Sequence, residues 1–197
     1  MYEAELKFTL SDSDYSRILE ILVETWGETS EHVTYRDRYY DLRAGTLADT
    51  ERELRLRELV RGGSRTWKLT AKAPPFDPRS RSKEEFETSV EDGEVVASIL
   101  EVVGFSPTIS YIKECEKFDL DIHGSRVEIV LVIISELRNR FVELEMPATS
   151  KKAARENLTA LRALAHDLTV PSSGETSAYY TDLVREARAQ RGRAERG

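Results

Sequence analysis

The chain has 197 residues, of which 40% are hydrophobic and 33% are charged, a balance that suits one globular domain with an apolar core. Its formal net charge of -7 disfavours bulk nucleic-acid binding, because such binding needs a basic surface to neutralise phosphates. The single cysteine, Cys115, excludes an intramolecular disulfide bond and a cysteine-rich zinc site.

The first predicted strand, residues 2–9, separates apolar and charged residues onto two faces. Its even positions are tyrosine, alanine, leucine and phenylalanine, whereas Glu3, Glu5 and Lys7 occupy odd positions. Because strand side chains alternate between faces, one face carries two carboxylates and an ammonium group. For a single strand, such a face most often points into water. An inward orientation would instead offer oxygen ligands to a hard metal ion and a cation to a phosphate.

The same alternation recurs along the chain, which favours the inward orientation. The alternating sets are Glu53, Arg55 and Arg57, then Lys68, Thr70 and Lys72, then Lys83, Glu85 and Glu87, and finally Glu143 and Glu145. Strand after strand therefore has one apolar face and one face with paired acids or paired bases. A closed barrel with a charged interior explains this repetition economically.

Eight strands and four helices are predicted in chain order. The predicted strands cover residues 2–9, 31–41, 51–60, 64–73, 82–89, 108–121, 125–134 and 139–146. The predicted helices cover 12–26, 91–103, 150–168 and a segment after Pro171 that includes Tyr179 to Val184. These elements predict an α+β fold, a closed eight-stranded antiparallel β-barrel with helices packed outside it.

The domain organisation is predicted to be simple. No internal repeat or composition break argues for a second domain, so residues 1–187 are assigned to one domain. The Arg-rich segment 188–197 is predicted to be disordered. The proline-rich segment 74–80 interrupts two strands and is predicted to be a loop, because proline cannot donate to a strand ladder.

The order of the motifs carries a family resemblance. Glu3, Glu5 and Lys7 form Glu-x-Glu-x-Lys in the first strand. The segments that follow it in register are Tyr35–Asp41, Leu54–Arg57, Trp67–Pro74, Lys83–Glu87 and Phe141–Glu145. With these motifs the chain resembles the CYTH superfamily of triphosphate tunnel metalloenzymes, which includes class IV adenylate cyclases and thiamine triphosphatases. The resemblance extends over roughly residues 2 to 184.

The resemblance implies roles for the charged residues. One or two Mg²⁺ or Mn²⁺ ions would be held by Glu3, Glu5, Glu143 and Glu145, which with Lys7 form the implied catalytic set. The implied phosphate-binding residues are Lys7, Arg55, Arg57, Lys72, Lys83 and Lys113. Asp37, Glu85 and Glu87 are assigned a supporting role. Asp37 is expected to order the tunnel or to accept hydrogen bonds from its arginines, whereas Glu85 and Glu87 orient the neighbouring bases or complete a metal shell.

Two positions depart from the family pattern. Lys113-Glu114-Cys115 stands where the family has Lys-x-Arg, so a thiol replaces one guanidinium. Lys83 stands where arginine is usual, which keeps the charge but removes bidentate geometry. A cavity with fewer phosphate donors makes an organic diphosphate ester an alternative to a triphosphate substrate.

The expected function is therefore that of a divalent-metal-dependent enzyme acting on a small organic polyphosphate in a β-barrel tunnel. Class IV adenylate-cyclase-like phosphorus–oxygen lyase chemistry and organic triphosphate hydrolysis are both retained. The alternatives are a tunnel repurposed for a diphosphate ester of specialised metabolism and a non-catalytic polyphosphate or nucleotide sensor.

The remaining expectations concern partners and location. The expected partner is a small-molecule polyphosphate. The protein is expected to bind neither nucleic acid nor a membrane, and the sequence leaves the formation of a homodimer open. No stretch reaches the roughly 18 apolar residues of a membrane span, and no signal-like segment opens the chain, so a cytoplasmic location is expected.

Overall fold

The computed structural model describes residues 2–26, 30–77, 79–122 and 124–194. Its strands are β1 (Tyr2–Leu10), β2 (Ser30–Leu42), β3 (Glu53–Arg61), β4 (Ser64–Lys72), β5 (Glu85–Val90), β6 (Phe105–Ile122), β7 (Ser125–Ile133) and β8 (Arg140–Ala148). Its helices are α1 (Asp12–Trp26), α2 (Thr46–Asp49), α3 (Gly93–Val102), α4 (Lys151–Asp167) and α5 (Tyr180–Ala194). The predicted α+β class and the eight predicted strands are confirmed.

The strands form one antiparallel sheet, but the sheet is open. Its strand order is β1-β8-β7-β6-β2-β3-β4-β5, so β1 and β5 are its edges. The edges are linked by one isolated bridge between Tyr2 and Glu84 and by a 3.3 Å hydrogen bond from the Glu3 amide to the Lys83 carbonyl. The prediction of a closed barrel is therefore wrong, and the sheet curves into a half-barrel.

The reason for the open edge lies between β4 and β5. The predicted strand 82–89 begins only at Glu85, because the proline-containing segment before it does not build a regular ladder with β1. Instead, the Glu5 amide donates a 3.1 Å hydrogen bond to the Ser82 side-chain hydroxyl. A side chain thus replaces a backbone partner where closure would require a continuous strand.

The apolar face of the sheet lies outside and is covered by helices. Leu6 of β1, Ile129 of β7 and Leu144 of β8 are fully buried and pack in one cluster with Leu158 and Leu161 of α4. A smaller cluster joins β2 and β3 to α3 on another part of the outer face. Because the strands alternate, this arrangement directs the charged residues of β1 and β8 toward the concave side.

Two helical segments differ from the prediction. The short helix α2 was not predicted, and the Asp41 carboxylate accepts hydrogen bonds from the Leu47 and Ala48 amides at its start, at 2.9 and 3.0 Å. Helix α5 extends to Ala194, although disorder was predicted from Arg188 onward. Arg188 donates to Glu136 at 2.6 and 2.8 Å and to the Ser110 carbonyl at 2.7 Å, which holds the helix on the sheet.

Some expectations extend beyond what the structure describes. Residues 195–197 of the predicted tail lie outside the described residues. Among the described residues, no helix combines the length and the apolar composition needed to cross a membrane.

Candidate active site

The concave side of the sheet encloses a cavity of about 750 Å³ to which all eight strands contribute side chains. Most of the site residues predicted from the sequence lie in its wall. These residues are Glu3, Glu5, Lys7, Arg55, Arg57, Lys72, Lys83, Glu85, Glu87, Lys113, Glu143 and Glu145. Asp37 is the exception, because it is completely buried behind Arg57. The inward orientation of the first strand therefore agrees with the structure.

Carboxylates form a row across three adjacent strands on one side of the cavity. Glu5 of β1 pairs in register with Glu145 of β8, and Glu145 pairs with Glu128 of β7. Two residues further along β1, Lys7 pairs in register with Glu143 of β8. Glu128 was not predicted as a site residue, although its position between Val127 and Ile129 follows the same alternation. We call the cavity-facing side of β1, β8 and β7 the acidic wall.

Two carboxylates of the acidic wall, Glu3 and Glu145, have strongly raised pKa values. Burial, reinforced by the nearby charge of Glu85, raises the pKa of Glu3 to about 8. Burial also raises the pKa of Glu145 well above its ordinary value, and the charges of Glu3 and Glu5 add to the effect. Without a cation, this wall therefore favours the protonated forms of Glu3 and Glu145 over their ionised forms.

The donor chemistry of the acidic wall fits a hard divalent cation. Carboxylate oxygens are the ligands preferred by Mg²⁺ and Mn²⁺, and a cation would relieve the repulsion among Glu3, Glu5 and Glu145. Across the described part of the chain, no three acidic, histidine or cysteine side chains already converge on one metal position. The fit is therefore one of charge and ligand type, and the side chains are not preassembled around one point.

Glu143, the fourth predicted metal ligand, has a cationic partner inside the protein. Its carboxylate accepts hydrogen bonds from the Lys113 ammonium at 3.0 and 3.3 Å. Burial tends to raise the pKa of Glu143, but the charges of Lys113 and Lys7 outweigh it and lower the pKa overall. Glu143 is thus ionised and paired with a lysine, in contrast to Glu145 on the same strand, whose pKa is raised.

The opposite side of the cavity, which we call the basic wall, is formed by β2, β3 and β4. Arg57 donates a forked pair of hydrogen bonds to Asp37, at 2.5 and 2.7 Å. Burial alone would raise the pKa of Asp37, but Arg57 lowers it to about 2. The Arg57 guanidinium also lies 4.1 Å from the centre of the Tyr35 ring. Arg57 is therefore rigidly oriented before any ligand arrives.

Arg55 is the basic-wall residue with the weakest protein contacts. Its guanidinium lies 3.4 Å from the Thr70 hydroxyl and 3.9 Å from the Glu87 carboxylate. Its Nε atom is buried and has no hydrogen-bond partner within the described residues. A buried guanidinium with unused donors is a strong candidate to bind an anion that enters the cavity.

Two predicted phosphate-binding lysines are already ion-paired at the edge near β5. Lys72 pairs with Glu85, whose pKa is lowered to about 2 because Lys72 and Arg55 outweigh the effect of burial. Lys83 pairs with Glu53 at 2.5 Å and donates to the Glu51 carbonyl at 3.1 Å. Glu53 also lines the cavity and was not assigned to the site from the sequence.

The first turn of α5 closes one end of the cavity. The ammonium groups of Lys7 and Lys113 lie 4.4 and 4.7 Å from the centre of the Tyr180 ring. Lys7 also donates a 2.5 Å hydrogen bond to the Ala178 carbonyl, and burial lowers its pKa. The sequence analysis placed Tyr180 only in the last predicted helix, whereas its contacts with two site lysines make it part of the site as well.

Cys115 lies on the cavity-facing side of β6, but it is covered. Its side chain is buried in an apolar cluster with Val33, Val132 and Phe141. Burial raises the pKa of its thiol to about 12, so it is not an activated nucleophile. The thiol fills space where the family pattern has a guanidinium.

Taken together, the two walls can hold a polyanion and a cation side by side. The basic wall offers Arg55 and Arg57, the closed end offers Lys7 and Lys113, and the acidic wall offers oxygen ligands. This combination is suited to chemistry at a phosphate chain, where positive groups stabilise the charge that develops on a leaving phosphate.

The fold is similar to several solved structures. A protein from Pyrococcus horikoshii OT3 is 25% identical with a TM-score of 0.80, over 94% of this chain and 99% of that chain. A proposed adenylate cyclase from Vibrio parahaemolyticus is 18% identical with a TM-score of 0.74, over 94% of this chain and 98% of that chain. A proposed adenylyl cyclase from Hippeastrum with a dominant triphosphatase activity is 18% identical with a TM-score of 0.67, over 94% and 96% of the two chains.

The sequence comparisons give the family. A comparison with curated proteins gives no match. The model of the CYTH domain, in contrast, matches residues 1–180, which include every strand and all of the cavity residues named above. Since this match covers most of the sequence, the chain belongs to the CYTH domain family.

Proposed function

We propose that this protein is a divalent-metal-dependent enzyme that cleaves a phosphoanhydride bond of a small organic polyphosphate. The observation that best supports this function is the pairing of an acidic and a basic wall across one cavity. A phosphate chain is complementary to the arginines of the basic wall, and a hard cation is complementary to Glu3, Glu5 and Glu145.

In this proposal the basic wall and the closed end bind the phosphate chain. Arg55 has unused donors, and Arg57 is held in position by Asp37, so both can donate to phosphate oxygens without large rearrangement. Lys7 and Lys113 provide point charges at the inner end of the cavity. These cations would hold the reacting phosphate and stabilise its developing charge.

The acidic wall is proposed to hold one or two Mg²⁺ or Mn²⁺ ions. Such an ion, when bound, polarises a phosphate and activates a coordinated nucleophile. Glu3, Glu5 and Glu145 would bind it with their carboxylate oxygens. Glu143 would join them once a substrate phosphate replaces it as the partner of Lys113, which couples metal binding to substrate binding.

The two enzymatic branches differ in the nucleophile. A water molecule in line with a phosphorus atom gives hydrolysis, whereas a substrate hydroxyl in line with the α-phosphorus gives a cyclic product and pyrophosphate. Both branches use the same walls. The similarity to the two proposed cyclases, one with a dominant triphosphatase activity, is consistent with either branch.

The two other functions predicted from the sequence remain alternatives with distinct signatures. A diphosphate ester substrate is favoured by the loss of a guanidinium at Cys115 and by the internal pairing of Lys72 and Lys83. A sensor would need the bases more than the acids, so the row of Glu5, Glu145 and Glu128 argues against it.

Product analysis by phosphorus NMR tests this proposal. Purified protein is incubated with Mg²⁺ or Mn²⁺ and, separately, with ATP, thiamine triphosphate, inorganic triphosphate and a panel of diphosphate esters. Pyrophosphate with a cyclic nucleotide identifies the lyase branch, and orthophosphate from a triphosphate identifies the hydrolase branch. Turnover of diphosphate esters alone would favour the repurposed site.

The matched control is the same set of reactions with the metal removed by a chelator. Loss of all product under those conditions is expected, because the acidic wall would then lack its cation. Metal-independent binding of a polyphosphate without any product would overturn the enzymatic proposal and favour a sensor.

A further inference from the structure

One arginine that lines the cavity belongs to neither the acidic wall nor the basic wall. Arg81 lies between β4 and β5, and it lines the cavity together with Lys83. Lys83 stands where the family pattern has arginine, but its side chain is only 4% exposed and is already paired with Glu53. The forked donor that the sequence lacks at residue 83 is therefore present two residues earlier.

The backbone at Arg81 has an uncommon conformation. Its φ is 59°, in the left-handed region that residues other than glycine rarely adopt. The Asp77 carboxylate holds the preceding turn by accepting hydrogen bonds from the Arg79 and Ser80 amides at 3.0 and 2.8 Å. The Asp77 carbonyl accepts from the Arg81 amide at 2.9 Å. Such a conformation costs free energy, and these costs concentrate where a side chain is positioned for binding.

Tyr179, the residue before α5, orients the Arg81 guanidinium. The Nε atom of Arg81 donates a 2.7 Å hydrogen bond to the Tyr179 hydroxyl, and the guanidinium lies 4.4 Å from the centre of the Tyr179 ring. The next residue, Tyr180, covers the ammonium groups of Lys7 and Lys113. Arg81 therefore lies beside the cations at the closed end of the cavity.

The second partner of Arg81 is held more weakly. The Nη2 atom donates to the Glu51 carboxylate at 2.6 Å, but the Glu51 side chain is 51% exposed, and ion pairs in water contribute little to stability. A guanidinium has five N–H donors, so three of those of Arg81 make no hydrogen bond within the described part of the chain. Tyr179 thus fixes the orientation of Arg81, whereas Glu51 can be exchanged for a stronger anion.

A phosphate group is a stronger anion than Glu51 for this guanidinium. Arginine binds phosphate through two parallel hydrogen bonds, and a phosphate of a chain offers more oxygen acceptors than one carboxylate. Lys7 and Lys113 add positive charge at the same end of the cavity. The exchange would leave the Glu51 carboxylate in water, where its charge is solvated.

We propose that Arg81 is a substrate-binding residue that exchanges Glu51 for the phosphate group of the substrate at the closed end of the cavity. This inference rests on the proposed function, because it assumes that a phosphate chain lies between the two walls. Arg81 then supplies the forked donor that Lys83 cannot provide, and Glu51 competes with the substrate for it.

The test measures the binding of inorganic triphosphate, which contains only the part of the substrate that Arg81 would contact. Calorimetry at low temperature gives its Kd with Ca²⁺ present, because Ca²⁺ binds carboxylates and phosphates without the compact octahedral geometry of Mg²⁺. The variants are Arg81→Gln, Glu51→Gln and their combination. Arg79→Gln is the matched control, since it removes an exposed arginine of the same segment. Thermal unfolding confirms that each variant is folded.

The expected effects of the two single variants have opposite signs. Arg81→Gln should weaken triphosphate binding about tenfold, as follows from losing hydrogen bonds to a charged group. Glu51→Gln should tighten it about threefold, because a competing carboxylate is removed. Glu51→Gln should give no gain in the Arg81→Gln background, since its effect acts through Arg81. The control should stay within about twofold of the wild-type Kd.

Three outcomes would overturn the inference. Weaker binding in both single variants would mean that Arg81 and Glu51 only fasten the segment to its neighbours. An unchanged Kd in Arg81→Gln would mean that Arg81 does not contact the phosphate. A gain from Glu51→Gln that persists without Arg81 would reflect the change in net charge alone. If Arg81→Gln does not fold, Arg81→Lys keeps the charge but loses the fork and should weaken binding severalfold.

Arg55→Gln distinguishes this inference from the proposed function. Loss of triphosphate affinity in Arg55→Gln but not in Arg81→Gln would overturn the inference and leave the proposed function standing. If the wild-type protein does not bind triphosphate, the proposed function fails, and this inference fails with it.

Discussion

The acidic wall and the basic wall bury the same chemical group in opposite states. On β1 and β8, burial and neighbouring carboxylates raise the pKa of Glu3 to about 8 and raise that of Glu145 well above its ordinary value. Asp37 of the basic wall and Glu85 of the neighbouring β5 are largely removed from solvent as well, yet Arg57 and Lys72 bring both pKa values down to about 2. Burial is common to both walls, so the partner of each carboxylate decides its state.

The direction of the pKa shift distinguishes carboxylates that stabilise the fold through an internal ion pair from carboxylates that are proposed to bind a ligand. The Asp37–Arg57 pair is complete within the protein, with two short hydrogen bonds and no exposure of the carboxylate. Glu5 and Glu145, in contrast, face each other in register, so the neighbour of each carboxylate is another carboxylate. A change on the acidic wall should therefore affect activity, whereas a change at Asp37 should affect stability.

The largest expected effect is the loss of turnover on the acidic wall. Glu5→Ala should reduce metal-dependent turnover by about a thousandfold or more, because it removes a carboxylate proposed to hold the cation. Thermal unfolding should change little, since a carboxylate facing a charged cavity contributes little packing. The measurement is the initial rate at saturating metal, beside the thermal midpoint.

Glu24→Ala, which removes an exposed carboxylate of α1, is the matched control and should leave the rate unchanged. Wild-type turnover by Glu5→Ala would contradict the proposed role of the acidic wall. A large loss of stability would instead mean that Glu5 belongs with the structural carboxylates.

The next largest effect is expected at Asp37. Asp37→Asn should lower the free energy of unfolding by about 3 kcal/mol, because the Arg57 charge would stay buried without its anionic partner. Asp12→Asn provides a control at an exposed ion pair with Arg140 and should have little effect. Urea unfolding of the three proteins measures the difference. Equal stability of Asp37→Asn and wild type would mean that the cavity solvates Arg57.

The same pair predicts a specific pH dependence of stability. The pKa of Asp37 is about 2 in the folded protein and ordinarily near 3.8, so its contribution is present above pH 4 and is lost as the pH falls toward 2. The shift corresponds to about 2 kcal/mol. Urea unfolding between pH 2 and pH 6 should show this loss in the wild type and a shallower decline in Asp37→Asn. Parallel curves would contradict the low pKa.

The face of each strand was predictable because strand alternation depends on local sequence. Glu3, Glu5 and Lys7 alternate with apolar residues, and the structure places all three in the cavity wall. The same rule applied to β7 would have assigned Glu128 to the cavity. Because most residues of β7 are apolar, the sequence instead indicated a strand buried in the core. The repeated pattern, more than any one residue, made the concave site predictable.

Closure of the sheet and the pairing of charges were not predictable, because both depend on distant contacts. Residues 73–84 had to meet β1 to close the barrel, and hydrogen bonds such as that from the Glu5 amide to Ser82 took the place of a ladder. The partners of Arg57 and Lys113 come from other strands, so strand alternation predicts that Asp37 supports an arginine but does not identify Arg57 as that arginine or Glu143 as the partner of Lys113. Arg188 likewise orders α5 through a contact with Glu136 on another part of the chain.

The smallest expected effect is at Glu145, where removing the carboxylate should raise the free energy of unfolding, whereas removing that of Asp37 should lower it. Glu145→Gln should stabilise the metal-free protein at neutral pH by about 1 kcal/mol, because the Glu145 carboxylate, which is ionised in the unfolded chain, must take up a proton or be buried as a charge beside Glu3 and Glu5 when the protein folds, and glutamine avoids that penalty. It should also reduce the stabilisation that added Mg²⁺ gives the wild type, since a ligand that binds only the folded state stabilises it. Thermal unfolding with and without Mg²⁺ measures both effects. Destabilisation of the metal-free variant would place Glu145 in the same class as Asp37, and the contrast between the walls would not hold.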